Sequence, residues 1–200
     1  MNLYQRGILI IGLLLSPTLV SAHTIGTGTS PFLSGLLHPI FVPEHLICLL
    51  ALGLLLGQQE PNRNFTALLI YPVMTIIGLM ATELQFNVRL ETIILLSTLL
   101  IGALVVLLPR LPTYLCALAA GLTALIIGLD SAQQMLLGMA RIMTIAGTAV
   151  GMVLVPLVAM EFADCFRRKP WQRTSIRILG SWITASAFLV LALTFSATKI

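Results

Sequence analysis

Two of the chain's three histidines and a glutamate lie at the mouth of one apolar stretch. His38, Glu44 and His45 fall within LLHPIFVPEHLICLLALGLLLGQ, residues 36–58. Ionisable groups are costly near lipid, so their presence at the start of an apolar helix indicates a function. Imidazole nitrogens and carboxylate oxygens together bind divalent transition metals such as nickel, cobalt, zinc and manganese. These residue types therefore predict an outward-facing cation site.

The start of this helix decides whether the three side chains can meet. Pro43 suits the first turn of a helix, because its missing N–H would have no partner there. Glu44 then lies in the first turn, where its charge meets the positive end of the helix dipole. Since Glu44 and His45 are adjacent, they face one ion only if the helix start is irregular. Pro39 and Pro43 favour such an irregularity, with His38 reaching in from a preceding loop.

A structural explanation of the same residues stays open. Glu44 alone is well explained as a helix-start residue. His45 alone is well explained as an interfacial histidine or one that is hydrogen-bonded inside the bundle. Other acidic residues near span ends, such as Glu91 and Asp130, face water or pair with arginines under this interpretation.

The composition places these residues in a membrane protein. The chain is 58% hydrophobic and 9% charged, with a mean hydropathy of +1.03, whereas soluble domains are roughly a quarter charged. Long apolar runs near the ~20 residues of a spanning helix favour a helical bundle over a β-barrel. The prediction is an all-α, polytopic six-helix transmembrane bundle forming one domain over residues 23–200. The spans are predicted at 42–57, 66–84, 92–108, 113–129, 143–160 and 178–198.

The first residues, 1–22, have the parts of a secretory signal peptide. Arg6 supplies the positive start, an apolar core follows, and Ala22 ends a small-x-small cleavage sequence. Cleavage would leave His23 at the mature N-terminus, where its amine and its ring can bind one metal. Two alternatives stay open: His23 is simply the residue after the cut, or the segment is an uncleaved anchor.

The charges predict an orientation. Five of the eleven basic residues fall in one short loop, at Arg167, Arg168, Lys169, Arg173 and Arg177. This is typical of a cytoplasmic loop under the positive-inside bias, and no nucleic-acid partner is expected. A cleaved signal puts the mature N-terminus outside the cytoplasm, and counting spans then leaves seven basic residues inside and three outside. All three histidines, with Glu91 and Asp130, map to the outer side.

Small residues and prolines inside the spans predict how the helices pack. GxxxG patterns occur at 53–57 and 147–151, and small residues let helices approach closely in lipid. We interpret both as packing within one chain. Pro72 and Pro156 lie inside spans and are expected to free backbone carbonyls. The cysteines show no CxxC spacing and are expected only to fill space.

At the histidine-rich stretch the chain resembles the HupE/UreJ family, membrane accessory proteins linked to nickel enzymes such as hydrogenase and urease. The family signature His-Pro-x-x-Gly-x-Asp-His-Leu reads HPIFVPEHL at 38–46, followed by Gly53 and Gln58. The run ETIILLS at 91–97 is similar to the family's Glu-x-x-Ile-x-x-Ser. Two positions depart from the signature, with Val42 for its glycine and Glu44 for its aspartate.

A larger departure lies in the fourth span. The family carries a cluster of histidines and glycines there that ends in an acid. The matching stretch is LTALIIGLD at 122–130, which keeps Gly128 and Asp130 but has apolar residues or Thr123 in place of the histidines. Nothing after His45 is histidine. A permease pathway built on those histidines would be interrupted in this chain.

The resemblance implies import or handling of a divalent metal, nickel or cobalt, in a bacterial inner (cell) membrane. The metal is the transported or bound ion, and no other cofactor is implied. The implied metal ligands and pathway residues are His38, Glu44, His45, His23, Glu91, Asp130 and, lining the path, Ser97. Membrane lipids are the expected surroundings.

Two other functions remain as alternatives. One is a non-transporting scaffold that helps assemble or anchor a metalloenzyme, with the basic loop at 167–177 docking a maturation partner or anionic lipid. The other, a membrane enzyme subunit that holds a cofactor with its histidines, has less support. The sequence shows no HExxH, no P-loop, no zinc-finger pattern and no Ser-His-Asp order, so an enzyme is not expected.

Overall fold

The computed structural model describes residues 30–84, 89–107, 110–131, 136–166 and 169–197. In these segments every regular element is helical, which confirms the all-α prediction. The seven α-helices are α1 (Pro31–Phe41), α2 (Pro43–Gly57), α3 (Pro61–Met80), α4 (Leu90–Leu107), α5 (Thr113–Asp130), α6 (Gly138–Cys165) and α7 (Pro170–Ala197). A short 3-10 helix, Ala81–Leu84, follows α3. The predicted signal peptide and His23 lie outside the described residues.

Each predicted span corresponds to a helix, but the structure adds α1. The first predicted span begins at residue 42, and the sequence predicted no helix before it, whereas Pro31–Phe41 is helical. Pro31 begins α1 at a position that suits proline, and Gly35 lets the helix lie directly against α6. Helices α6 and α7, with 28 residues each, also start before their predicted spans. The added residues include Arg141 in α6 and several polar residues in α7, and hydropathy does not detect helical turns that carry such residues.

Four helices are long and apolar enough to cross a membrane, namely α4, α5, α6 and α7. Helices α1 and α2 pass the same test together as a pair bent by 74°, either a broken span or a re-entrant loop. The described apolar part of α3, Asn64–Met80, is shorter. Length and composition therefore support four spans, or five with the bent pair, among the described helices.

Helix α2 lies at the centre of the bundle. Ten of its 15 residues are buried, and it contacts α1, α4, α5, α6 and α7. A helix that is apolar all round is expected to be covered on all sides. Because His45 belongs to this helix, the candidate ligand is held by the most enclosed element of the fold.

The two ends of α2 have different chemistry. At its start lie His45 and the end of α5, and we call this the histidine end. At its other end the Gln59 side chain accepts a hydrogen bond from the Leu111 N–H at 2.9 Å and donates to a carbonyl of α2 at 3.1 Å. Asn64 donates to the Leu56 carbonyl at 2.7 Å. These bonds satisfy carbonyls that a helix end leaves unpaired, and we call this the glutamine end.

Both GxxxG patterns make contacts within the chain. A Cβ on Gly53 would lie 2.5 Å from the Cβ of Ala159, and one on Gly57 would meet a carbonyl of the same helix, α6. On α6 itself, a Cβ on Gly147 or Gly151 would meet carbonyl oxygens of α1. The predicted intramolecular packing is confirmed. Helix α6 thus holds both halves of the bent pair.

The proline inside α6 has a dedicated partner. Pro156 has no N–H, so it leaves the carbonyl of Met152, four residues earlier, without its helical bond. The Tyr71 hydroxyl of α3 donates to that carbonyl at 2.8 Å. In lipid an unpaired backbone group has no water to bind. Tyr71 therefore allows Pro156 to lie inside an apolar helix.

Candidate functional site

The candidate site lies at the break between α1 and α2. Val42, between the helices, is extended (φ −92°, ψ 106°), as expected for a residue that precedes a proline. Pro43 opens α2, and Pro39 lies inside α1. The prolines thus separate two helices at Val42, but Glu44 and His45 both lie in the regular first turn of α2, so the irregular start that would let them face one ion stays a prediction. His38 lies in the last turn of α1 and not in a loop, because the contacts of α1 with α6 keep this segment helical.

His45 pairs with an acidic residue far away in the sequence. Its Nε2 lies 2.9 Å from Oδ2 of Asp130, the last residue of α5. The His45 side chain is 1% exposed and that of Asp130 is 31% exposed. An ionised carboxylate only accepts hydrogen bonds, so the nitrogen that faces it carries the proton. With an ionised Asp130, His45 is placed to donate its Nε2–H to this carboxylate.

Two other ring nitrogens at the break are buried without a hydrogen-bond partner in the described part of the chain. They are Nδ1 of His45 and Nε2 of His38. The two ring centroids are 5.5 Å apart, with the planes at 68°. Two imidazoles that share one metal at about 2.0–2.1 Å per nitrogen have centroids roughly 5 Å apart. The spacing of the two rings therefore fits a shared metal ion.

An unpaired buried nitrogen needs an explanation. Roughly 90% or more of buried backbone polar groups, and most buried side-chain ones, have a partner in proteins, and leaving one unpaired costs about 1–3 kcal/mol. Here two such atoms belong to adjacent rings. A neutral imidazole nitrogen without a proton is a lone-pair donor, which is what a metal ion binds. The arrangement can therefore bind a soft or borderline cation.

The other predicted ligand and pathway residues on described helices are Glu44, Glu91 and Ser97, whereas His23 lies outside the described residues. Glu44 is half-buried in the first turn of α2, as predicted. Glu91 is exposed in the first turn of α4, and Ser97 is half-buried further along that helix. The described residues contain no group of three or more His, Cys, Asp or Glu placed to hold a metal ion. The larger ligand set stays a prediction.

A polar cluster that the sequence did not predict lies one turn further into the bundle. The Cys48 thiol is within hydrogen-bonding reach of the Thr98 and Thr123 hydroxyls, which come from α4 and α5. All three side chains are at most 2% exposed. Cys48 follows His45 by three residues and so shares its face of α2. The three-residue spacing between His45 and Cys48 was the feature of the sequence from which this cluster could have been predicted.

The chain matches a known family along most of its length. A family model described as HupE / UreJ protein matches residues 11–190. The chain belongs to the HupE/UreJ family. No curated protein matches it, and no solved structure does.

In this HupE/UreJ protein the signature motif at 38–46 spans the break between α1 and α2. Its two histidines therefore come from different helices, and the prolines between them set the bend. The acid of the fourth-span motif, Asp130, is the residue that pairs with the second histidine. Two sequence motifs that are far apart in the chain thus meet at the histidine end.

Proposed function

We propose that this HupE/UreJ membrane protein binds nickel or cobalt at the break between α1 and α2 and passes it across the membrane. The observation that supports the proposal is the pair of buried, unpartnered nitrogens, Nδ1 of His45 and Nε2 of His38. Imidazole suits nickel, cobalt and zinc, while magnesium prefers oxygen ligands and keeps its waters. The family's link to nickel enzymes selects nickel or cobalt among these metals.

The position of the site supports passage more than storage. Transporters place ion sites where membrane helices are broken, because backbone and side chains can reach an ion there. Two imidazoles give weak, exchangeable binding. Further in, Cys48, Thr98 and Thr123 offer a thiol and two hydroxyls on the central helix and its neighbours. The ion moves inward past them, driven by the membrane potential or by a partner protein.

The orientation follows from charge. Basic residues gather at the glutamine end: Arg110, Lys169, Arg173 and Arg177. The histidine end has Arg89 and Arg141 near the starts of α4 and α6. Under the positive-inside bias the glutamine end faces the cytoplasm and the histidine end faces outward. In this arrangement the chain spans the inner membrane six times, with a mature N-terminus outside.

A non-transporting scaffold is the second candidate, and two observations favour it. The described residues offer no group of three or more metal-ligating side chains. Thr123, buried at 2% exposure, stands in the fourth-span stretch where the family carries histidines. In this case the basic glutamine end docks a cytoplasmic metalloenzyme partner or anionic lipid.

Metal accumulation in cells tests the proposal. Cells that express the protein are compared with His38→Gln and His45→Gln variants at matched membrane levels, in medium with trace nickel or cobalt. We expect both variants to lose most of the uptake. The matched control is Glu161→Gln, which removes a half-buried carboxylate near the end of α6 and should keep uptake.

The outcomes separate the two candidates. Equal uptake in cells with and without the normal protein contradicts transport. If the purified protein still binds nickel through His38 and His45, the scaffold becomes the better explanation. If uptake occurs but is unchanged in both histidine variants, the proposed site is wrong.

A further inference from the structure

We propose that Asp130 is a positioning residue for metal binding: by accepting the Nε2–H of His45, it keeps the lone pair of His45 on Nδ1, the nitrogen that binds the ion. This inference rests on the proposed metal site. It assigns Asp130 a role that differs from that of a direct ligand, and it names the coordinating atom of His45.

The first support is the geometry of the imidazole ring. The two ring nitrogens of His45 point away from opposite edges of the ring, and Nε2 faces Asp130 at 2.9 Å. An ion bound to Nδ1 of His45 therefore cannot also reach Nε2, where the ring contacts Asp130. Among the described residues there is no group of three or more metal-ligating side chains, which agrees with Asp130 binding the ring of His45 and not the ion.

The second support is the protonation state that the pair imposes. A neutral imidazole has one N–H, and a carboxylate beside Nε2 keeps the proton there. Nδ1 then has a free lone pair, and it is buried without a partner in the described structure. Histidines that bind metals usually donate their other N–H to a carboxylate or carbonyl, which fixes tautomer and ring orientation. His45 and Asp130 have this arrangement.

The third support is the place of Asp130 in its own helix. Asp130 is the last residue of α5, where the negative end of the helix dipole disfavours an acidic side chain. It is also next to the apolar part of a membrane helix, where a charge is costly. Local structure therefore does not explain an aspartate here. The hydrogen bond from His45 does, and it joins α5 to the central helix.

Nuclear magnetic resonance of the histidine rings tests the inference directly. The full chain has only three histidines, so ¹⁵N-histidine labelling gives few signals, and His45→Gln identifies those of His45. We expect the metal-free protein to show His45 with the proton on Nε2. Zinc, a diamagnetic probe, should then shift Nδ1 of His45 and Nε2 of His38.

Substitution of Asp130 supplies the decisive comparison. Asp130→Asn places an amide beside Nε2, which can donate as well as accept, so the proton moves partly to Nδ1. We expect nickel affinity of the purified protein to fall by roughly 10- to 100-fold, as for other partners of metal-binding histidines. Asp130→Glu keeps a carboxylate and should restore most of the affinity. Glu161→Gln is the control and should change neither the tautomer nor the affinity.

Each result bears on one claim. A proton on Nδ1 of His45 in the normal protein overturns the inference. So does an Asp130→Asn variant that binds nickel weakly while its His45 tautomer is unchanged, because Asp130 would then be a ligand. If the tautomer depends on Asp130 but no metal binds, Asp130 still fixes the tautomer of His45, while the proposed metal function fails and with it the metal-binding part of the inference.

Discussion

His45 is buried at the histidine end, and the hydrogen bond from its Nε2–H to Asp130 gives that buried N–H its acceptor. Its side chain is 1% exposed, and an N–H that loses its acceptor in such a place costs about 1–3 kcal/mol. The same hydrogen bond therefore affects both the stability of the fold and the lone pair offered to a metal. Affinity must be measured per folded molecule, since uptake per cell would mix the two effects.

The Tyr71 hydroxyl is the second residue-scale feature with a measurable effect. Tyr71→Phe leaves the carbonyl of Met152 without its hydrogen bond next to Pro156, inside an apolar helix. We expect the purified protein to lose about 1–3 kcal/mol of stability, seen as a lower midpoint in thermal unfolding in detergent. Tyr114→Phe is the matched control, because Tyr114 is 70% exposed and should shift the midpoint little. Equal effects of the two substitutions would refute the assigned role.

At this scale the sequence predicted one half of the site. The prolines around Val42 were enough to predict a chain break just before His45, although His38 was expected in a loop and lies in α1. The pairing of His45 with Asp130 was not predictable in the same way, because 85 residues separate them and their contact depends on how α2 and α5 pack. The role of Cys48 in a polar cluster was missed for the same reason.

Among the helices, α6 decides the geometry of the break. It packs along α1 with one glycine pair and receives the glycines of α2 further along. Since His38 is on α1 and His45 is on α2, α6 holds the two ligands at a fixed spacing without touching a metal. A change in that contact should therefore alter binding at a distance.

Gly147→Ala tests this link. A Cβ at Gly147 would meet the carbonyl oxygen of Phe32, which is main chain and cannot move alone, so α1 must shift. Ligand distances in metal sites tolerate changes of only about 0.2 Å, and we expect nickel affinity in calorimetry to fall by roughly tenfold or more. Gly121→Ala is the control, since its Cβ would meet only the side-chain ends of Ile70 and Met74. Unchanged affinity in Gly147→Ala would show that α1 does not carry a ligand.

Hydropathy predicted the apolar helices but not their full extent. The six predicted spans correspond to α2 through α7, because a long apolar run is a strong signal. Helix α1 was missed, since its glycine and proline resemble loop residues and it is helical through its contact with α6. The early turns of α7 were missed because they are polar, although Arg177 within them donates from Nε to the Val106 carbonyl at 2.8 Å.

For the whole molecule, the all-α membrane fold was predictable from composition, whereas the arrangement of the helices was not. Apolar helices in lipid have no hydrophobic reason to choose one neighbour over another, and small residues and polar contacts decide the pairing. The result is a bundle with different chemistry at its ends: a histidine–carboxylate pair at one and amide side chains with nearby basic residues at the other. Because basic residues lie near only one of these two ends, the asymmetry bears on how the chain is oriented in the membrane.

The asymmetry leads to a prediction about which end faces the cytoplasm. Each Lys or Arg near an anionic cytoplasmic surface contributes about 1 kcal/mol, so the basic glutamine end should lie inside. Cysteines introduced in a Cys165→Ser background report on this. Leu137→Cys, 84% exposed just before α6 at the histidine end, should react with a membrane-impermeant maleimide in spheroplasts.

The companion variant, Lys169→Cys before α7 at the glutamine end, should react only after the membrane is permeabilised. The background variant itself should label little, because Cys48 and Cys116 are buried. The opposite labelling pattern would place the histidine pair on the cytoplasmic side. His38 and His45 would then receive metal from inside the cell, and the direction proposed for transport would have to be reversed.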